Sequence, residues 1–416
     1  MVLYHAKVPG FPGGFVGVDV FFVISVYLIT SIILKDIRLN TFSLASFYER
    51  RIRRIFPALF GMALCFGVAA ALFFPPSKFS QYARSLVAMT VFGSNILFWK
   101  IRGPDGYFDR ASDSEPLLHT WSLGVEEQFY LFFPIFLVSI SRLSKQQQII
   151  GLTTCIAASL LISAWGAFYK PVGTFYLLPT RGWELLIGSI LATSFLPAPV
   201  NRLAREIFGL LGLVLIGWGV AFFSRDTPFP GLYALFPCFG TWLVLYSCTQ
   251  DRYSCTQDRS SSVKSILSLP LVVFAGLISY SLYLWHWPLL VLAKLLLGGA
   301  LSAVETSAVL AASVVAACLS YWIIEAPFRG PRPWLSRQRL FVLAGLTSVG
   351  CIGIGVAIYA TAGLPGRYDP RTNDLIVANE TRKTEYPDLG PCNNFRTENR
   401  QNVGHLFLYA GNRAKK

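Results

Sequence analysis

Apolar runs of membrane-spanning length recur about ten times along this chain, and that recurrence decides its solvent before any motif is read. They lie at about 15 to 34, 55 to 74, 120 to 138, 149 to 169, 182 to 196, 207 to 224, 230 to 247, 279 to 298, 302 to 324 and 340 to 363. The run at 182 to 196 is short and is bounded by Arg181 and Pro197. Hydrophobic residues make up 54% of the 416 and charged residues 14%, with a mean hydropathy of +0.51. That is too apolar for soluble domains of this length. The runs are continuous, without the two-residue alternation of an outer-membrane barrel, so helices must do the spanning. The expected fold class is all-α, a polytopic transmembrane helical bundle of about ten to eleven helices. The first is expected to be truncated, because Met1 to Ala6 reads as the tail of an apolar helix and is too short to span.

The net charge of +14 does not point to nucleic acid, because the Arg and Lys clusters sit between apolar runs, where the positive-inside rule places them. Arg50, Arg51, Arg53 and Arg54 form the densest cluster, and Arg329, Arg332, Arg337 and Arg339 the second, so both are expected in the cytoplasm. Counting from either cluster leaves the acidic 103 to 116 loop, with Asp105, Asp109, Asp113 and Glu115, outside. The counts agree only if the apolar stretch 86 to 99, which carries Ser94 and Asn95, does not cross, as suits a re-entrant or interfacial segment. The last helix then delivers 364 to 416 to the outside. The eight Cys are scattered without metal-ligand spacing, so no metal site is expected. The tandem SCTQDR repeat between Ser247 and Arg259 reads as a tolerated loop insertion.

Ionisable groups inside apolar segments mark pathways, relays or sites. Of four His, three lie in or beside such segments: His5, His119 and His286, the last in the aromatic run from Tyr283 to Trp287. Each reads either as a neutral imidazole bonded to a neighbouring helix or as a working group. Glu126 and Glu127 sit early in a spanning run, and at least one is expected to face an interior cavity. Arg181 and Glu184 are one turn apart and can form an ion pair, structural or catalytic. Arg51 and Arg54, at i and i+3, can offer two guanidinium forks to one phosphate; the competing reading is a topology anchor that also touches anionic lipid.

The blocks YHA at 4 to 6, GGFVGVDVFFVISVYLIT at 13 to 30, FYERRIRRIFPAL at 47 to 59, PLLHTWSLGVEEQFYLFFP at 116 to 134, TRGWELLIG at 180 to 188 and SYSLYLWHWPL at 279 to 289 follow one another in order. In this series the chain resembles acyltransferase family 3, integral membrane proteins that O-acetylate O-antigen, other surface glycans and peptidoglycan. The resemblance implies a membrane acyltransferase domain at 1 to 330, a linking transmembrane helix at 331 to 363 and an extracytoplasmic linker at 364 to 416. It implies catalysis by His5, at the outer end of the first helix, and donor binding by Arg51 and Arg54, with Arg50 and Arg53 beside them. A base of near-neutral pKa suits a hydroxyl acceptor, and fixed cations suit the phosphates of CoA. Two features of the family are expected outside this chain: an Arg ten residues before the His, and the SGNH hydrolase-like domain of the fused subfamily, which begins near a GDSH-like block.

The resulting expectation is a multi-pass protein of the bacterial cytoplasmic membrane that moves an acyl group, most simply acetyl, from cytoplasmic acyl-CoA to hydroxyls of an outside glycan or lipid-linked glycan such as O-antigen. His5 acts as base or acyl carrier, Glu126, Glu127 and His119 are further catalytic candidates, and Arg181, Glu184, Tyr283 and His286 support them. Acyl-CoA is a substrate, and no permanently bound cofactor is expected. The competing readings are a secondary transporter or channel, for which inverted repeats and matched broken helices are not evident, and an inactive fragment of the acyltransferase.

Overall fold

The computed structural model describes residues 1–101, 114–193, 201–249, 261–330, 334–372 and 374. Every regular element among them is helical: α1 (Val2–His5), α2 (Gly17–Arg38), α3 (Leu44–Phe73), α4 (Pro76–Thr90), α5 (Ser94–Ile101), α6 (Thr120–Ser141), α7 (Lys145–Tyr169), α8 (Pro171–Tyr176), α9 (Leu178–Ala192), α10 (Arg202–Phe222), α11 (Leu235–Cys248), α12 (Ser262–Leu267), α13 (Pro270–Leu296), α14 (Ala303–Leu319), a π-helical turn at Ser320–Glu325, α15 (Ala326–Arg329) and α16 (Arg337–Ala360). Local chemistry sets several starts. Capping boxes open α7 (Ser144 with Gln147) and α14 (Ser302 with Glu305), Asn201 caps α10, and Pro stands in the first turn of α4, α8, α9 and α13.

The chain is a multi-pass membrane protein. Eight helical stretches among the described residues are long and apolar enough to cross: 14–38, α3, α6, α7, α10, α13, 303–329 and α16. The other two expected crossings fall on α9 and α11, which are 15 and 14 residues long. Burial separates two shells. In the apolar stretches of α2 and α6, 56% of the residues are buried, against 17% in α7, 303–329 and α16, whose remaining apolar surface suits lipid. Small residues set the closest crossings. A Cβ on Gly188 of α9 would collide with the Val23 carbonyl of α2, and Gly212 and Gly240 let α10 and α11 approach backbone to backbone.

Hydrogen bonds between distant segments identify the two ends of the bundle. At one end Arg367 donates to the Ala71 and Phe74 carbonyls, Trp287 to the Glu115 carbonyl, and the Gly13 N–H to Val220. At the other, Arg337 bonds Glu49 and Ser46, Arg53 bonds the Leu335 carbonyl, and the Ser262 N–H bonds Glu206. The stretch expected not to cross is a helical hairpin, α4 and α5, that enters and leaves at the first end. Its tip at Val91–Gly93, with Phe92 at φ +52°, lies beside the middle of α6. There Gln128 donates to the Phe92 carbonyl at 2.8 Å and to Asn95 Oδ1 at 2.8 Å, and Asn95 donates to the Tyr176 carbonyl at 3.1 Å. These amides serve backbone groups that water would serve elsewhere.

Several sequence boundaries shift. α3 starts at Leu44, so the arginine cluster lies inside the helix; Glu49 paired to Arg53 and Asp36 paired to Arg50 let its polar turns persist. Arg181 does not bound α9 but lies within it, 1% exposed, because its charge is met by buried carboxylates. The 103 to 113 part of the acidic loop, most of the SCTQDR repeat, Arg332 and the tail beyond 374 lie outside the described residues. A single Cys placed at Ser43 or at Ser302, with native Cys replaced, should react with an impermeant thiol reagent from opposite faces of the membrane. Labelling of both from one face would reverse the path of α13 or α14.

Candidate functional site

α1 and α13 meet at two histidines. His5 Nδ1 and His286 Nε2 are 2.9 Å apart, their rings nearly parallel, with exposures of 5% and 0%. His286 Nδ1 lies 3.0 Å from the Leu282 carbonyl one turn back. A carbonyl only accepts, so His286 carries its proton on Nδ1 and presents the Nε2 lone pair to His5. His5 must then donate from Nδ1, which puts its own lone pair on Nε2. Trp287 packs edge-on against His5 at 4.5 Å between centroids and is itself held by the Glu115 carbonyl at 2.7 Å.

His119 closes this group from the start of α6. Its ring lies 5.9 Å from His286 and 5.2 Å from Tyr283. Pro288 leaves the Leu284 carbonyl without its helical N–H donor, and His119 lies against that carbonyl; neither of its ring nitrogens makes a well-aligned hydrogen bond. The Tyr283 hydroxyl donates to the His119 backbone carbonyl, so Ser122, 2.9 Å away, donates to Tyr283. Tyr283 thus joins the α6 start to α13.

A second polar group lies deeper. Arg51 of α3 is 5% exposed, bonded to Glu127, 3.5 Å from Glu126, and stacked 4.2 Å over the Tyr130 ring. Ser25 of α2 donates to Glu126 at 2.5 Å and receives the Tyr130 hydroxyl at 2.8 Å. His119, Ser122, Glu126 and Tyr130 follow the helical repeat on one face of α6, and Tyr280, Tyr283 and His286 do so on α13. The two faces form a polar seam from the histidines to Arg51, spanning a rise of about 16 Å along α6.

A third group sits beside the seam. Arg181 reaches Asp19 of α2 at 3.3 Å and Glu184 at 3.1 Å, with all three side chains 1% exposed or less. Phe22, Trp121, Phe175 and Phe229 surround the guanidinium with centroids 5.5–5.7 Å away. Among the described residues, no group of three or more His, Cys, Asp or Glu side chains is placed to hold a metal ion.

The structure therefore gathers His5, His119, Tyr283 and His286 at one place and Arg51, Glu126 and Glu127 at another, and pairs Arg181 with Glu184. It does not set Arg51 and Arg54 side by side as two open forks: Arg51 turns inward onto carboxylates, while Arg54 stays exposed. Arg50 and Arg53 are held by Asp36 and Glu49. Sequence reasoning missed Asp19, Ser25, Tyr130 and Glu325. Asp19 and Glu325 had a signal, each being a lone carboxylate in an apolar run; Ser25 and Tyr130 had none, since hydroxyls are common in such helices.

A family model described as an acyltransferase domain matches residues 1–325. An uncharacterized protein of Haemophilus influenzae is 33% identical over 246 residues, 56% of this chain and 99% of its own length. The O-acetyltransferase OatA of Staphylococcus aureus is 30% identical over 302 residues, 70% of this chain and 48% of its own. The chain thus spans about half the length of the Staphylococcus O-acetyltransferases it matches. No solved structure matches it.

Proposed function

Since this chain belongs to the acyltransferase-domain family, we propose that it transfers an acyl group, acetyl in the simplest case, from acyl-CoA on the cytoplasmic side of the bacterial inner membrane to a hydroxyl of a glycan on the other side. The observation that carries this reading is the buried His5–His286 hydrogen bond, with Leu282 fixing the tautomer. It leaves His5 Nε2 as the basic atom at the end of the bundle assigned to the outside. The acceptor hydroxyl gives its proton to His5 Nε2 as its oxygen attacks the thioester carbonyl. The C–O bond forms, the C–S bond breaks, and the proton passes from His5 to the departing thiolate. His286 holds the base in register, and the unbonded His119 ring is placed to donate to the oxyanion or the acceptor. In this scheme the thioester arm reaches His5 from the arginine end along the polar seam of α6 and α13. O-antigen and other lipid-linked surface glycans fit as acceptors, with the tail beyond α16 on their side.

The test is expression of the chain in a bacterial host without its own surface-glycan O-acetylation. Alkali-labile acetate on the envelope glycan should rise above the empty-vector level, and membranes should release free CoA from acetyl-CoA when glycan is supplied. Absence of both would end the donor and acceptor assignment.

A further inference from the structure

Of the four arginines at 50 to 54, the fold engages three. Arg50 bonds Asp36 at 2.8 Å, Arg53 bonds Glu49 at 2.8 Å and the Leu335 carbonyl at 2.7 Å, and Arg51 is held inside by Glu126 and Glu127. Arg54 is exposed and makes no ion pair with any described residue. The antiparallel packing of α3 against the π-turn and α15 brings a second cation to it. Gly61 touches Ile324. Arg54 lies seven residues before Gly61, two turns away on the same face of α3 and about 10 Å along its axis, and Arg329 lies five residues beyond Ile324, about 8 Å along its own. The two guanidiniums therefore reach the same level, and Arg329 acts electrostatically on Arg54.

Arg329 is positioned from behind. Its Nη1 bonds Glu325 Oε2 at 2.8 Å, with the Arg329 side chain 34% exposed and the carboxylate 1%. Ser281 of α13 donates to Glu325 and sits 2.9 Å from Ser320. Glu325 ends the π-helical turn and is fully buried; such turns recur at functional sites. The inner carboxylates are thus each covered by a guanidinium or a hydroxyl, and Arg54 and Arg329 present two guanidiniums outward at one level of the bundle.

We propose that Arg54 and Arg329 form the fork that grips the CoA phosphates, that Glu325 positions Arg329, and that Arg51 is an internal strut. This deepens the acyl-CoA reading above and rests on it. The shared chemistry is phosphate recognition by paired guanidiniums, and an anionic lipid headgroup is the other source of such a phosphate.

The full chain, purified into nanodiscs with and without phosphatidylglycerol, is titrated with acetyl-CoA and with S-acetylpantetheine, which has the thioester arm but no phosphate. The wild type should prefer acetyl-CoA. Arg54→Gln and Arg329→Gln should each lower affinity for acetyl-CoA about 10- to 100-fold, as for loss of charged hydrogen bonds, and leave acetylpantetheine unchanged, so that the preference collapses. Arg329→Lys should recover part of it, Glu325→Gln should lose a smaller part, and Arg51→Gln should reduce yield while keeping the preference. An unchanged preference in Arg329→Gln overturns the proposal while the donor reading stands. Wild-type protein indifferent to acetyl-CoA overturns both. Loss of phosphatidylglycerol retention alone in Arg329→Gln assigns the fork to lipid and also overturns it.

Discussion

His5→Ala should abolish acyl transfer while leaving the protein folded in the membrane. A general base is worth ~10²- to 10⁴-fold in rate, whereas the His5 ring serves the fold through its hydrogen bond to His286 and its edge contact with Trp287. His286→Ala should act through His5, because the imidazole then loses the acceptor that fixes its tautomer; its rate loss should be smaller and its pH profile altered. Glycan-bound acetate is measured beside membrane abundance in both variants. Wild-type acetylation by His5→Ala would remove the base from the scheme.

The largest effect on stability is expected at Arg181. Its guanidinium is the cation shared by the buried Asp19 and Glu184, and removing one partner of a buried charge group costs ~3–5 kcal/mol because the others stay buried without it. Arg181→Met should therefore sharply reduce the folded fraction and lower the melting midpoint in detergent. The triple change Asp19→Asn, Glu184→Gln, Arg181→Met removes all the formal charges together and should restore most of that loss. Equal midpoints for wild type and Arg181→Met would show that the trio contributes nothing to the bundle.

The helices were legible in the sequence to the extent that apolar length defines them, and a segment that does not cross could be inferred at 86 to 99 because charge parity left no crossing there. What single runs conceal is which faces meet. The LWHWP block marks His286 as unusual, but nothing local says that its partner is His5, 281 residues away. Arg51 and Arg54 look equivalent on the page. They differ because Glu127 and Tyr130 of α6 lie against one and not the other, a fact of helix packing that no spacing within α3 records. Membership of the acyltransferase family displaces the transporter and channel readings.

The α4–α5 hairpin has a consequence for how the molecule is assembled. A segment that turns back halfway has no stable place in lipid alone, since its tip would leave the Phe92 carbonyl and its neighbours without partners. Those partners are Gln128 of α6 and the chain around Tyr176, which is made later. The hairpin is therefore synthesised before the surface that solvates it exists. It must wait at the interface where α4 begins until α6 and α8 arrive, and until α16 comes to cover α4, the final packing step reaching back across most of the chain.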